Sequence, residues 1–311
     1  MKETCFNLFL YGDDLTISKL GVAVHQLDGS DHDKQSALSS LVDTDYQIAA
    51  QYPLQEPLDW PRYQALQRLG HELKIFESIF QELYAPSQPF VVVTPVVNGK
   101  PCFQARRPAS TPMYRDAFKG TSLEKPGTMI DWLEKYVSEQ GFDLPRLIND
   151  DYFLAIKLLY NNGHFVSCNK LLMSCIDTLA FVDAGDMPGN FQSWLDKYAD
   201  LASLSITSSE LWEFRNSLLH MTNLNSRKVQ QGKVAALVFY VGTSELPHRK
   251  SALGTRCVSL RALINVIAAA ISKWVESYNN NPDKWADFVM RYDLTISDSR
   301  MAYFSIPDHI S

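Results

Sequence analysis

The sequence predicts an α+β protein with two domains, a mixed α/β domain with antiparallel strands over residues 1–120 and an α-helical domain over residues 129–311. Short apolar runs bounded by glycine or aspartate, which are typical of strands, occur in the first part. Apolar residues at spacings of three and four, which are typical of helices, dominate the second. Residues 104–128 are rich in Pro, Ser, Thr and Gly and are predicted to be a linker or long loop.

The N-terminal domain is predicted to contain strands, one helix and a hairpin. The strands are predicted at residues 5–11, 20–27 and 45–52. Apolar residues recur at helical spacing between Trp60 and Tyr84, which predicts a helix there. Asn98-Gly99 separates two β-prone runs, and this pair is the strongest short-range hairpin signal. No sequence motif indicates what this domain does.

One polar stretch of the N-terminal domain, HQLDGSDHDK, carries residue types that bind metals. They are His25, Asp28, Asp31, His32 and Asp33. Their spacing matches neither the calcium-binding EF-hand loop nor the HExxH zinc motif. The stretch is therefore predicted to be a polar loop, and no metal or other cofactor is expected.

Glycines at predicted helix ends divide the C-terminal domain into helical segments. Helices are predicted to end at Gly141, Gly163 and Gly185. The very short turn at Gly163 predicts a helical hairpin. Residues 234–243 suit either a buried strand or a short apolar helix, and residues 257–279 predict a long helix.

The segment LWEFRNSLLHMT, residues 211–222, is predicted to belong to a helix. Thr207 followed three residues later by Glu210 is a capping-box pattern, which predicts that this helix begins near Ser208. At about 100° per residue, one sector of the helix holds all of its strongly apolar positions. These positions are Leu211, Phe214, Leu218 and Met221. They predict the buried face.

Three polar residues of this helix lie outside the predicted buried face. Asn216 and His220 are four residues apart on the far side, and Arg215 lies at the border. Because His220 points away from the apolar face of the helix, its position argues against a role as a core histidine. On spacing alone, the three side chains suit an idle surface as well as they suit a binding site.

The pattern from Arg215 to His220 resembles the RxxxxH signature of the HEPN superfamily, in which a polar residue, here Asn216, follows the arginine. The predicted hairpin that turns at Gly163 is similar to the helical hairpin that precedes the signature in that family. Asp177, in the second helix of this hairpin, matches the acidic side chain that the family often carries there. The resemblance covers about residues 145–280, roughly the second half of the chain.

The resemblance implies a C-terminal HEPN-like helical bundle that acts as a metal-independent endoribonuclease on RNA, and such domains often serve as toxins or antiviral defence effectors. Histidine titrates near neutral pH, and arginine offers a fixed fork of donors to phosphate oxygens. His220 is therefore expected to be the general base or acid, Arg215 the phosphate-binding residue, and Asn216 the residue that orients the imidazole or the substrate. In the HepT branch a tyrosine follows the histidine by two residues, but this chain has Thr222 there.

Arg215 and His220 lie about 140° apart on the helical wheel, so one helix does not easily aim both at one phosphate. Catalytic HEPN proteins form dimers in which the motif helices face each other. The resemblance therefore implies a homodimer. Residues 211–261 hold eight Lys and Arg against two Glu, a local net charge of +6. Within this window Arg227 and Lys228 are candidate phosphate contacts, or alternatively a solvated helix end.

Composition restricts the function classes. The overall net charge of -6 excludes a protein that coats nucleic acid indiscriminately. Five cysteines without a CxxC pair predict reduced thiols and a cytoplasmic location, and no signal peptide or apolar run of about 18 residues indicates a membrane. Two other functions stay open. One is a catalytically silent HEPN-like module that binds a nucleotide, RNA or a regulatory protein; the other is a helical dimerisation scaffold.

Overall fold

The computed structural model describes residues 2–103, 113–114, 131–138, 141–220, 226–242 and 255–300. The chain divides into two compact units, with the boundary between Met129 and Ile130. Most of the predicted linker, residues 104–128, lies outside the described residues. The exception is Met113–Tyr114, which forms a short strand.

Strands of both orientations form the sheet of the N-terminal unit. They are β1 Glu3–Gly12, β2 Thr16–Leu27, β3 Ala50–Asp59, β4 Phe90–Val97, β5 Lys100–Phe103 and β6 Met113–Tyr114. Their order across the sheet is β3-β2-β1-β4-β5-β6, in which β1 and β4 are parallel and the other neighbours are antiparallel. A mixed sheet with antiparallel strands, combined with helices, confirms the predicted α+β class.

Helices cover both faces of the central strand β1. They are α1 Asp31–Ile48, α2 Trp60–Arg68 and α3 Glu77–Glu82, with a 3₁₀ turn at Glu72–Phe76. Side chains alternate along a strand, so Phe6 and Leu8 of β1 point to one face of the sheet and Phe9 points to the other. Phe6 and Leu8 share one apolar cluster with Tyr63 of α2, whereas Phe9 packs with Val42 of α1. The core therefore has two layers, one on each side of the sheet.

The first half of the strand predicted at residues 45–52 is wrong, because α1 continues to Ile48. Strand β3 starts at Ala50. Asp45 lies in the last turn of α1, and its carboxylate accepts a hydrogen bond from Asn7 of the sheet. The helix predicted from Trp60 to Tyr84 is also interrupted. Gly70 has a φ of 69°, a left-handed conformation that glycine adopts readily, and it ends the first helical segment.

The predicted polar loop around HQLDGSDHDK is shorter than expected. His25 belongs to β2, while Asp31, His32 and Asp33 form the first turn of α1. Ser30 caps this helix, since its hydroxyl accepts from the Asp33 amide and the Asp33 carboxylate accepts from the Ser30 amide. Local capping chemistry therefore explains Asp33, and Asp31 pairs with Lys34 three positions along the helix.

The Asn98-Gly99 hairpin is confirmed. Asn98 and Gly99 have φ angles of 48° and 77°, as the two-residue turn between antiparallel strands requires. The turn pairs Val97 of β4 with Lys100 of β5.

The described part of the C-terminal unit is mainly helical. Its helices are α4 Trp132–Tyr136, α5 Leu144–Ile148, α6 Leu154–Asn161, α7 Phe165–Ala184, α8 Asn190–Tyr198, α9 Ser208–His220, α10 Arg227–Gln230, α11 Leu260–Asn279 and α12 Lys284–Tyr292. A π-helical turn at Asn149–Phe153 joins α5 to α6, and 3₁₀ turns occupy Leu201–Leu204 and Asp298–Arg300. Two short strand pairs accompany them, β7 Val137–Ser138 with β8 Gly141–Phe142, and β9 Leu237–Tyr240 with β10 Arg256–Ser259.

Helix α7 is the core helix of this unit and packs against α6, α8, α9 and α12. By length and composition it could cross a membrane, but half of its apolar window is buried inside the unit, as in the core helix of a soluble protein. The turn that joins it to α6 contains Gly163 at a φ of 77°, in agreement with the predicted hairpin. The cytoplasmic location stays a prediction.

Two boundary predictions in this unit need correction. The helix predicted to end at Gly141 ends at Tyr136, and Gly141 begins strand β8. Residues 257–259 belong to β10, so the long helix begins at Leu260. The undecided segment 234–243 contains strand β9, which pairs in parallel with β10. The strands involved are short, two residues in β8 and four in β10, so they leave little alternating pattern in the sequence.

Candidate functional site

Helix α9 carries the predicted motif, and its start is set by the predicted capping box. The Thr207 amide donates to Glu210 Oε2 at 2.8 Å, and the Glu210 amide donates to Thr207 Oγ1 at 3.2 Å. Leu211 and Phe214 are buried, as the helical wheel predicts, and His220 is exposed at the last position of the helix. Met221 of the predicted buried face and Thr222 lie outside the described residues.

A second face of α9 is also buried, which the apolar pattern did not predict. It carries two carboxylates, Glu210 and Glu213, each of which binds a cation from later in the chain. Arg256 Nε donates to Glu210 Oε1 at 2.6 Å. Lys228 Nζ lies 2.8 Å from Glu213 Oε1. These ion pairs hold the segment after α9 against it.

The predicted phosphate-contact residues therefore differ in their surroundings. Lys228 is half-exposed and engages Glu213, whereas Arg227 is exposed and forms no ion pair with any residue in the described ranges. Two further cations of the +6 window, Arg249 and Lys250, lie outside the described residues. Glu213 is already counted in the +6 of this window, and Glu210, which lies just before the window, balances one further charge.

Three neighbouring side chains contact Arg215. Its Nε and Nη2 atoms each lie 2.6 Å from Asp177 Oδ2 on α7, and its Nη1 donates to Asn216 Oδ1 at 2.9 Å. The guanidinium also lies over the ring of Trp212, 5.0 Å from the ring centroid. Arg215 and Asp177 expose 20% and 26% of their side chains, so solvent reaches the pair.

Several effects act on the pKa of Asp177. Burial raises the pKa of the Asp177 carboxyl, while the hydrogen bond and charge of Arg215 and the charge of His220 act in the opposite direction. The contacts that the structure shows join Arg215 to Asp177 and to Asn216, while His220 lies exposed at the end of the same helix.

This arrangement leaves part of the arginine available to a ligand. A guanidinium has five N–H groups, and its contacts with Asp177 and Asn216 engage one on each of its three nitrogens. Two N–H groups, one on each terminal nitrogen, thus have no hydrogen-bond partner among the described residues. These two can donate to the oxygens of an anion while Asp177 keeps the side chain in place.

Trp212 is the residue of this site that the motif did not indicate. It precedes Arg215 by three residues, a helical spacing that places two side chains on neighbouring positions. Its ring also contacts Phe191 of α8, with centroids 5.3 Å apart. The Arg215 guanidinium therefore lies over a ring whose position is fixed by its contact with α8.

Among the described residues, no group of three or more His, Cys, Asp or Glu is arranged to hold a metal ion. Comparisons with protein-family models, with curated proteins and with solved structures each found no match.

Proposed function

We propose that this chain is a metal-independent endoribonuclease of HEPN type, with a site built from α9 and α7. The observation that carries the proposal is the ion pair between Arg215 and Asp177, whose atoms lie 2.6 Å apart. It fixes the position of the Arg215 guanidinium, and the exposed His220 follows Arg215 by five residues on the same helix.

The proposed reaction uses the 2′-OH of the RNA as the internal nucleophile. His220 removes the proton from this hydroxyl, O2′ attacks the adjacent phosphorus, and the bond from phosphorus to O5′ breaks. The leaving O5′ takes a proton from a general acid. The products are a 2′,3′-cyclic phosphate and a 5′-hydroxyl. His220 is exposed at the end of α9, where a substrate can reach it.

Arg215 stabilises the phosphate as negative charge develops during this attack. Its two uncommitted N–H groups donate to the phosphate oxygens, while Asp177, Asn216 and Trp212 hold the guanidinium in position. Because Asp177 balances the charge of Arg215, further positive charge has to come from protonated His220 or from nearby cations. Arg227, exposed just beyond the motif helix, supplies such a charge, and Lys228 does so in part.

The homodimer is part of the proposal, because a facing copy of α9 would bring a second His220 toward the phosphate. At micromolar concentration we expect a solution mass of twice the 35.3 kDa of one chain. Light scattering after size-exclusion chromatography measures this mass. A monomer under these conditions, together with full cleavage activity, would exclude a site shared between subunits.

The test of the proposed activity is cleavage of RNA in EDTA. Purified protein is incubated with structured and unstructured RNAs, beside the Arg215→Ala and His220→Ala variants. We expect cleavage by the unmodified protein that survives EDTA, with cyclic phosphate ends and with strong loss in both variants. Equal cleavage by the variants, or cleavage that EDTA abolishes, would exclude the proposed mechanism.

A second candidate function is a catalytically silent HEPN-like module that binds RNA, a nucleotide or a regulatory protein. The ion pair between Arg215 and Asp177 favours it, because it lowers the net positive charge of the site. In this case fluorescence anisotropy would show RNA or nucleotide binding that Arg215→Ala weakens, while no RNA is cut. A role as toxin or antiviral effector is a proposal that follows from either candidate.

A further inference from the structure

A second polar cluster lies in the N-terminal unit, between the sheet and α1. It consists of Asn7 on β1, His25 on β2 and Asp45 on α1. Asn7 is fully buried, the Asp45 side chain is 4% exposed, and the His25 side chain is 23% exposed. A buried carboxylate is costly unless charged or polar groups satisfy it. The polar groups of this cluster therefore need hydrogen-bond partners.

Asp45 is the centre of the cluster. Its Oδ2 accepts a hydrogen bond from Asn7 Nδ2 at 2.6 Å and lies 2.7 Å from His25 Nε2. Asn7 Nδ2 also donates to the carbonyl oxygen of Leu38 at 2.9 Å, which holds the amide in one orientation. Because a carboxylate only accepts, His25 carries its proton on Nε2, and in the neutral ring Nδ1 keeps a lone pair.

The cluster has unused hydrogen-bond acceptors. Asn7 Oδ1 is buried and has no hydrogen-bond partner among the described residues. His25 Nδ1 is the second acceptor, on the one side chain of the three that solvent reaches. A ligand that matches these groups must carry an O–H or N–H donor.

The charges near the cluster discriminate between ligand classes. Lys34 is bound by Glu3 and Asp31, so its charge is balanced, and Asp45 adds a further negative charge. Cys5, which lies opposite His25 in the sheet, is buried, and burial followed by the charge of Glu3 raises the pKa of its thiol. Anionic phosphates are therefore disfavoured here, and Cys5 is not an activated nucleophile.

We propose that Asn7, Asp45 and His25 form a hydrogen-bond-accepting site for a neutral or cationic small molecule that carries a hydroxyl or an amine. The O–H or N–H of the ligand donates a hydrogen bond to His25 Nδ1, and Asp45, which accepts the hydrogen bond from Nε2–H, makes Nδ1 a stronger acceptor. Asp45 and Asn7 are positioning residues, which act on the ligand through His25. The site is separate in chemistry from the one at Arg215, which is suited to an anion.

The test measures the reactivity of His25 toward diethyl pyrocarbonate, a small neutral electrophile. Nδ1 attacks a carbonyl carbon, an N–C bond forms, and ethyl carbonate leaves. Peptide mass spectrometry gives the rate at each histidine of the native protein. We expect His25 to react faster than His32 and His164, which are exposed and serve as internal references.

The variant Asp45→Asn is expected to lower the rate at His25 about tenfold, the effect of losing one charge-assisted hydrogen bond. It also moves the pH profile of that rate, which a change in packing alone would not do. Circular dichroism shows whether the variant is folded, and unchanged rates at His32 and His164 show that the reagent acts equally on both proteins. If His25 in the unmodified protein reacts no faster than these references, the cluster only fastens α1 to the sheet and the proposal is wrong.

Discussion

Replacing His220 with alanine is expected to lower the rate of RNA cleavage in EDTA by about 10²–10⁴-fold, the usual contribution of a general acid or base. The reason is that the proposed mechanism assigns the proton transfer to His220, which reaches solvent at the end of α9. Initial rates with a fluorescently labelled RNA measure the effect. Circular dichroism shows whether the variant is folded, which is expected because His220 is exposed.

The matched control is His164→Ala, which removes another exposed histidine of the same unit and should leave the rate unchanged. Arg215→Lys is the complementary variant, since it keeps the positive charge and removes the fork of donors. Because a lysine ammonium lacks the planar fork that binds Asp177 and a phosphate in fixed directions, we expect this variant to lose most of the activity. Full activity of Arg215→Lys would mean that charge alone is required at this position.

Replacing Asp183 with asparagine is expected to lower the free energy of unfolding by about 3–5 kcal/mol, as when one partner of a buried ion pair is removed. Asp183 lies near the end of α7 and is 10% exposed. Lys284 Nζ lies 2.8 Å from Oδ1, Trp274 Nε1 donates to the same oxygen at 3.1 Å, and Lys197 lies 3.5 Å from Oδ2. One carboxylate thus joins α7 to α8, α11 and α12.

The same residue predicts how stability depends on pH. Burial acts to raise the pKa of Asp183, but the hydrogen bond and charge of Lys284, with Lys197 and Trp274, outweigh it and lower the pKa below its ordinary value of 3.8. The stabilisation is therefore fully present above the unfolded pKa and is lost as the pH falls through the lower folded pKa.

Urea denaturation at neutral pH and at about pH 3 to 4 tests this dependence, in a window set by the ordinary carboxyl pKa. Asp183→Asn should reduce the stability mainly at neutral pH, so that the difference from the unmodified protein becomes smaller in acid. Asp196→Asn, at an exposed position of α8, is the control and should have little effect. If both variants are equally stable at neutral pH, the network around Asp183 does not hold the bundle together.

Features that depend on a few neighbouring residues could be predicted from the sequence. The capping box at Thr207 and Glu210 placed the start of α9 correctly, because both groups belong to one turn. The turn at Asn98-Gly99 was correct for the same reason. Helical periodicity identified Leu211 and Phe214 as buried and His220 as exposed.

Features that depend on distant partners could not be predicted in this way. Residues 45–48 read as part of a strand because their apolar neighbours suit a sheet, but Asp45 faces Asn7, 38 positions away, and the segment is helical. The apolar pattern of α9 gives no reason to expect Glu213 in the interior, yet it is buried against Lys228. In both cases a polar side chain is buried because another part of the chain satisfies it.

The sequence by itself determined which residues α9 presents, since the helical repeat fixes their angles around one axis. It placed Arg215, Asn216 and His220 outside the apolar stripe. Only the tertiary structure decided what these residues meet. Asp177 lies 38 positions from Arg215, and it reaches the arginine because α7 and α9 pack against each other. That contact depends on how two helices pack, which no pattern within either helix specifies.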